Sequence, residues 1–185
     1  MKRILLTLLI GSSVCASAQK QGDAHYKKYV EEISGTVECL SKTDMKTFES
    51  AVLAVLKKDS RLKDMLRGFN SEGGGECFNY STGHLIDFEY NFGTGGSVTH
   101  TIVLVDKNLA TEIKFDDSKF PYPKRVGIHQ PVIKKTLDGI VTIEGGGYTE
   151  DDASCCPSYE IVVQCKIVGN RFVYIKTLEF EKSPS

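Results

Sequence analysis

Residues 159–180 read YEIVVQCKIVGNRFVYIKTLEF. Tyr159, Ile161, Val163, Cys165 and Ile167 fall on one face of an extended chain, and Glu160, Val162, Gln164, Lys166 and Val168 on the other. Period-two alternation of this length specifies a strand. Gly169-Asn170 then supplies a tight-turn pair, and Phe172 to Phe180 returns as the partner strand. These residues therefore form an antiparallel hairpin.

Working back toward the N-terminus, Ile140 to Ile143 forms another strand, which Gly145-Gly146-Gly147 closes. Residues 116–131 hold three prolines and read as an irregular crossing. Ahead of them lies a meander. Ile86, Phe88, Tyr90 and Phe92 alternate with Asp87, Glu89 and Asn91 as a half-buried strand. Gly93 to Gly96 turns the chain, Val98, His100, Ile102 and Leu104 follow on the next strand, and Asp106-Lys107-Asn108 leads into a third over Leu109 to Phe115.

The front of the chain carries the helical period instead. Tyr26, Tyr29, Val30 and Ile33 recur at i, i+3, i+4 and i+7, with Asp23 as a cap. Met45, Phe48, Val52, Val55 and Leu56 make a second stripe, capped by Thr43, with Lys57-Lys58 at its negative end. A short third helix is expected over Ser60 to Arg67, stopping at Gly68. Helices first and strands later predict an α+β fold, with N-terminal helices packed on a mostly antiparallel sheet built from the meander and the C-terminal hairpin.

The first 18 residues, MKRILLTLLIGSSVCASA, have the form of a bacterial secretory signal. Lys2 and Arg3 precede a short apolar run, and Ala16-Ser17-Ala18 is a cleavage site of small residues. The run is shorter than the roughly 20 residues a membrane-spanning helix needs. The expectation is a single exported domain over 19–185, periplasmic or extracellular. Lipid attachment at Cys15 is the alternative, disfavoured by Val14 just before it. Without the signal, 21 Lys and Arg face 24 Asp and Glu, a formal charge of −3. That mild value gives no electrostatic case for nucleic acid or an anionic membrane surface.

The cysteines beyond the signal are 39, 77, 155, 156 and 165, and in an oxidising compartment pairs form and one is left over. A strand advances about 3.3 Å per residue, so Cys165 lies roughly 20 Å from its own strand's start. A cystine needs Cα atoms within about 7 Å. Cys165 therefore reads as a buried free thiol. Two arrangements of the other four stay open: Cys39 with Cys77 and Cys155 with Cys156, or each of the adjacent pair with one of the distant two.

The stretch Asp152-Ala153-Ser154-Cys155-Cys156-Pro157-Ser158, leading into a terminal hairpin, resembles the LppP/LprE-type bacterial envelope proteins. The likeness covers about the last 40 residues and implies an exported α+β domain without assigning an activity. The surface singled out for binding is Asp151, Asp152, Cys155, Cys156, Pro157 and Ser158, and the expected partner is another envelope or secreted protein. Redox chemistry at Cys155-Cys156 is opposed by Asp151 and Asp152, whose charges raise a thiol pKa. No histidine among His25, His84, His100 and His129 sits in a nucleophile signature. His84 and His100 could meet across the first hairpin, but no second pair completes a zinc set. The glycine triplets lack the ending of a phosphate loop and read as turns. No cofactor or metal is expected. The function expected is non-enzymatic: a disulfide-stabilised binding, inhibitor or adaptor domain. The rival is a secreted thiol-dependent hydrolase or redox protein using Cys155 or Cys156 with His129 or His84.

Overall fold

A computed structural model describes residues 26–59, 73–92, 97–116, 120–122, 126–149, 151–152 and 156–183. The signal stretch, the third helix expected over 60–67 and the turn at 93–96 lie outside these residues, as do Asp23 and Cys155. Among these residues, two helices, α1 over 26–35 and α2 (Lys42–Lys58), precede eight strands. The first four are β1 (Gly73–Tyr80), β2 (Gly83–Phe92), β3 (Ser97–Asp106) and β4 (Leu109–Ile113). They form one antiparallel meander in the order β1-β2-β3-β4. β5 (Gly127–Leu137), β6 (Ile140–Tyr148), β7 (Tyr159–Val168) and β8 (Arg171–Lys182) form a second, in the order β5-β6-β7-β8.

The fold is α+β and antiparallel, but the single expected sheet is two. The difference originates in β5. It starts at Gly127, inside the stretch read as an irregular crossing, and contains Pro131. Proline is tolerated there because β5 is an edge strand and its pairing with β6 is interrupted between His129 and Val132. Asp138 and Gly139, both at positive φ, then turn the chain into β6.

The two faces of β2 explain how the sheets stack. Ile86, Phe88 and Tyr90 share a buried cluster with Val103 and Val105 of β3 and with Tyr26, Tyr29, Ile33, Phe48, Val52 and Leu56 of the helices. Phe48 meets the Phe88 ring edge-on at 5.9 Å. Each such fully buried side chain contributes about 1.5–3 kcal/mol. The other face of β2 is not solvated. Leu85 packs with Ile102, and both join Ile133, Val141, Ile143, Ile161, Val163 and Cys165 of the second sheet. The hairpin residues Tyr159 to Ile167 do face this core with alternate side chains, as their alternation indicates.

At one edge the sheets are stitched by backbone: the Lys114 N–H donates to Asn170 O at 2.9 Å, and the Phe172 N–H donates to Lys114 O at 3.1 Å. At the opposite edge the links are side chains. The Tyr80 hydroxyl donates to Gly139 O at 3.3 Å, and the Thr136 hydroxyl donates to Asn79 O.

Several local expectations change. Ser41, not Thr43, caps α2: its hydroxyl accepts from the Asp44 N–H and donates to the Asp44 carboxylate. The Gly145 triplet is strand: all three residues pair with β7, and Gly146 and Gly147 pair with β5 as well. Gly146 is small because Pro157 packs over it. A Cβ there would lie 2.9 Å from both Pro157 Cβ and Cγ. The Gly73 triplet opens β1 rather than a turn, and a Cβ on Gly75 would lie 2.7 Å from Val37 Cγ2.

Candidate functional site

The inner face of the first sheet changes character along its length. Phe78, Leu85 and Leu104 are apolar and pack with the inter-sheet core. One step further, Glu76 stands opposite Asp87, and Glu89 opposite His100. Directly opposed residues share a face, so β1, β2 and β3 aim three carboxylates and an imidazole between the sheets. They line a cleft of about 280 Å³ whose far wall includes Val132 of β5. Gly74 and Gly75 keep one side low.

Asp87 anchors the group, with its side chain only 4% exposed. Its Oδ2 accepts the Ile133 N–H across the gap at 2.9 Å. A β5 edge donor without a strand neighbour is thereby satisfied by a carboxylate from the other sheet. Asp87 Oδ1 lies 3.4 Å from His100 Nδ1, and Glu89 Oε2 lies 3.6 Å from His100 Nε2. The hydrogen bond to Asp87 raises the His100 pKa above the ordinary histidine value. Burial opposes this, and the negative charges of Asp87 and Glu89 add to the rise. The His100 side chain is 16% exposed and that of Glu89 51%, so the pair opens outward from the buried Asp87 carboxylate. Gln130, at positive φ beside the β5 irregularity, adds a further link between the sheets by donating to Val98 O at 3.0 Å.

The residues expected to bind do not line this cleft; of those described, Pro157 alone lines a neighbouring groove of about 470 Å³, together with His129 and Tyr148 among others. Asp152 is fully used within its own turn. Its carboxylate accepts from the Thr149 N–H at 2.8 Å, the Ser158 N–H at 3.1 Å and the Ser158 hydroxyl at 2.5 Å. The Ser158 hydroxyl, then the Thr149 N–H, hold its pKa down to about 2. Asp152 thus clips the end of β6 to the start of β7. Asp151 is exposed, Cys156 is exposed and disulfide-bonded, and Cys155 lies outside the described residues.

Cys39 and Cys77 form a disulfide, with Cα atoms 6.3 Å apart, tying the α1–α2 connection to β1. The crossed pairing is thereby excluded for these two. Cys165 is a buried free cysteine whose thiol pKa burial pushes up to about 12. His84 and His100 do not meet across the hairpin. His84 shares the helix-side face with Ile86, while His100 opposes Glu89 on the inner face. His84 Nδ1 instead lies 3.8 Å from Cys77 Sγ.

The carboxylates of the cleft escaped sequence reading because Asp87 and Glu89 alternate with Ile86, Phe88 and Tyr90 and resemble a solvated face. Leu85 beside them, and Ile102 with Leu104 on the neighbouring strand, were the available signal that this face is also covered. No helix among the described residues is long and apolar enough to cross a membrane. No protein-family model, curated protein or solved structure matches the chain.

Proposed function

We propose that this is an exported bacterial binding domain, periplasmic or secreted and without enzymatic activity, that holds a cationic group of an envelope or secreted partner protein in the inter-sheet cleft. The observation that carries this is the setting of His100. Both ring nitrogens face carboxylates, so the imidazole is neutralised where a catalytic base would face a nucleophile. Even with His100 protonated, Glu76, Asp87 and Glu89 leave the cleft at about −2, which favours an ammonium or guanidinium entering beside Glu76 and Glu89.

The secretory form of residues 1–18 and the likeness of residues 152–158 to the LppP/LprE-type proteins support export. Helical cover on one side of the first sheet and a second sheet on the other suit a rigid scaffold presenting one open end. The thiol-enzyme reading is weakened by the disulfide at Cys156, which leaves that sulfur without a thiolate.

Calorimetric titration of residues 19–185 with a short lysine- and arginine-containing peptide tests the reading, with a glutamate-substituted peptide as control. Saturable binding of the cationic peptide alone, lost in the Glu76→Gln/Glu89→Gln double variant, is the expected result. Equal binding by that variant, or none by the wild type, refutes the assignment of the cleft.

A further inference from the structure

We infer that Cys39, Cys77 and His84 form a redox-gated zinc site, closed while the disulfide is intact and opened by its reduction. One ligand atom from each of the three residues lies within 4.8 Å of the others, and all three residues are only partly buried, so an ion can enter. Two elements create the cluster. Cys77 on β1 and His84 on β2 are diagonal neighbours on the helix-side face of one hairpin, since Cys77 pairs with Ile86 and His84 with Asn79. Cys39 comes down onto them from the connection between the helices.

The spacing suits the metal. With Zn–S of about 2.3 Å and Zn–N of about 2.0–2.1 Å, the edges of a tetrahedral site are about 3.5–3.8 Å. Cys77 Sγ and His84 Nδ1 already stand 3.8 Å apart. What remains is separation of the two sulfurs to about 3.8 Å, with Cys39 Sγ kept within reach of the His84 ring, and side-chain rotation allows this from Cα atoms 6.3 Å apart. Two thiolates and an imidazole favour zinc over harder cations, and three protein ligands leave a fourth corner to water.

The step balances with a dithiol as reductant. The dithiol gives up two electrons and two protons and becomes a cyclic disulfide, while the Cys39–Cys77 bond breaks to two thiols. Zinc entry then displaces both thiol protons to solvent. The oxidised and zinc-bound forms exclude one another, because the same sulfur electron pairs serve both.

The test uses residues 19–185 with Cys155→Ser and Cys156→Ser, so that Cys39, Cys77 and the buried Cys165 are the thiols present. Cobalt(II) serves as the spectroscopic probe and zinc as its competitor. The reduced protein should take up one equivalent of cobalt with a thiolate charge-transfer band that zinc abolishes, and the oxidised protein should show none. His84→Ala should weaken the uptake about tenfold or more and alter the d–d bands. Zinc should also raise the melting temperature of the reduced protein, and raise it less in His84→Ala. The inference is overturned by a band in the oxidised protein, by unchanged affinity and spectrum in His84→Ala, or by a folded reduced protein without a band. A reduced protein that is unfolded and that zinc fails to refold overturns it as well.

Discussion

Replacing Asp87 by alanine should be among the most damaging single changes to a polar residue in this protein. The carboxylate is almost fully enclosed and serves two partners at once, the Ile133 N–H and the His100 ring. Its removal strands a buried backbone donor, at about 1–3 kcal/mol, and deletes a hydrogen bond to a charged group, at about 1.5–3 kcal/mol. Together with the small void, the expected loss is about 3–4 kcal/mol. Asp87→Asn keeps a carbonyl oxygen for Ile133 and loses only the charge, so it should cost about 1–2 kcal/mol. Urea unfolding at neutral pH reads both. With a slope of about 2 kcal/mol/M, the alanine variant's midpoint should fall by about 1.5–2 M and the asparagine variant's by about 0.5–1 M. A double-mutant cycle with His100→Ala should return a coupling of about 1 kcal/mol or more. An alanine variant within about 0.5 kcal/mol of wild type would refute the reasoning, and so would an asparagine variant as damaged as the alanine one.

Other expectations follow from the same contacts. Gly146→Ala drives a methyl against Pro157 and should destabilise by about 1–3 kcal/mol, seen as a lowered melting temperature. Cys165 should resist alkylation in the native protein and react once guanidinium unfolds it, with mass spectrometry as the readout. Asp152 has a depressed pKa, so its clip is in place above the unfolded value near 3.9 and is lost as pH falls through about 2. Asp152→Asn should therefore speed amide exchange at Thr149 and Ser158 at neutral pH. His100 has a raised pKa, so its stabilisation is complete below the unfolded value near 6.5 and is lost as pH rises through the folded one. The stability advantage of wild type over His100→Gln should shrink across that window.

What the sequence revealed, and where it misled, has specific physical causes. The β7–β8 hairpin was legible because Tyr159 to Ile167 alternates without a break and Gly169-Asn170 marks the turn. The α2 stripe was legible because Phe48, Val52, Val55 and Leu56 keep one face, although the cap moved to Ser41. β5 was not, since Pro131 and two irregularities in its pairing with β6 scramble its alternation. The glycine triplets were misjudged because a missing Cβ serves close packing in a strand as well as freedom in a turn. The cleft depends on contacts across 46 residues, from Asp87 to Ile133, and no local pattern encodes such a distance. The cysteines were better constrained: strand geometry set Cys165 apart, and Cys39–Cys77 was one of the two arrangements left open.

The pairing of His100 with Asp87 and Glu89 underlies both the charge of the cleft and its proposed ligand. NMR titration of the His100 ring, alone and with the cationic peptide bound, measures it directly. The expected result is a pKa above about 6.5 in the free protein that falls when the peptide occupies the cleft. A free-protein value at or below the ordinary one, unmoved by peptide, would contradict the account.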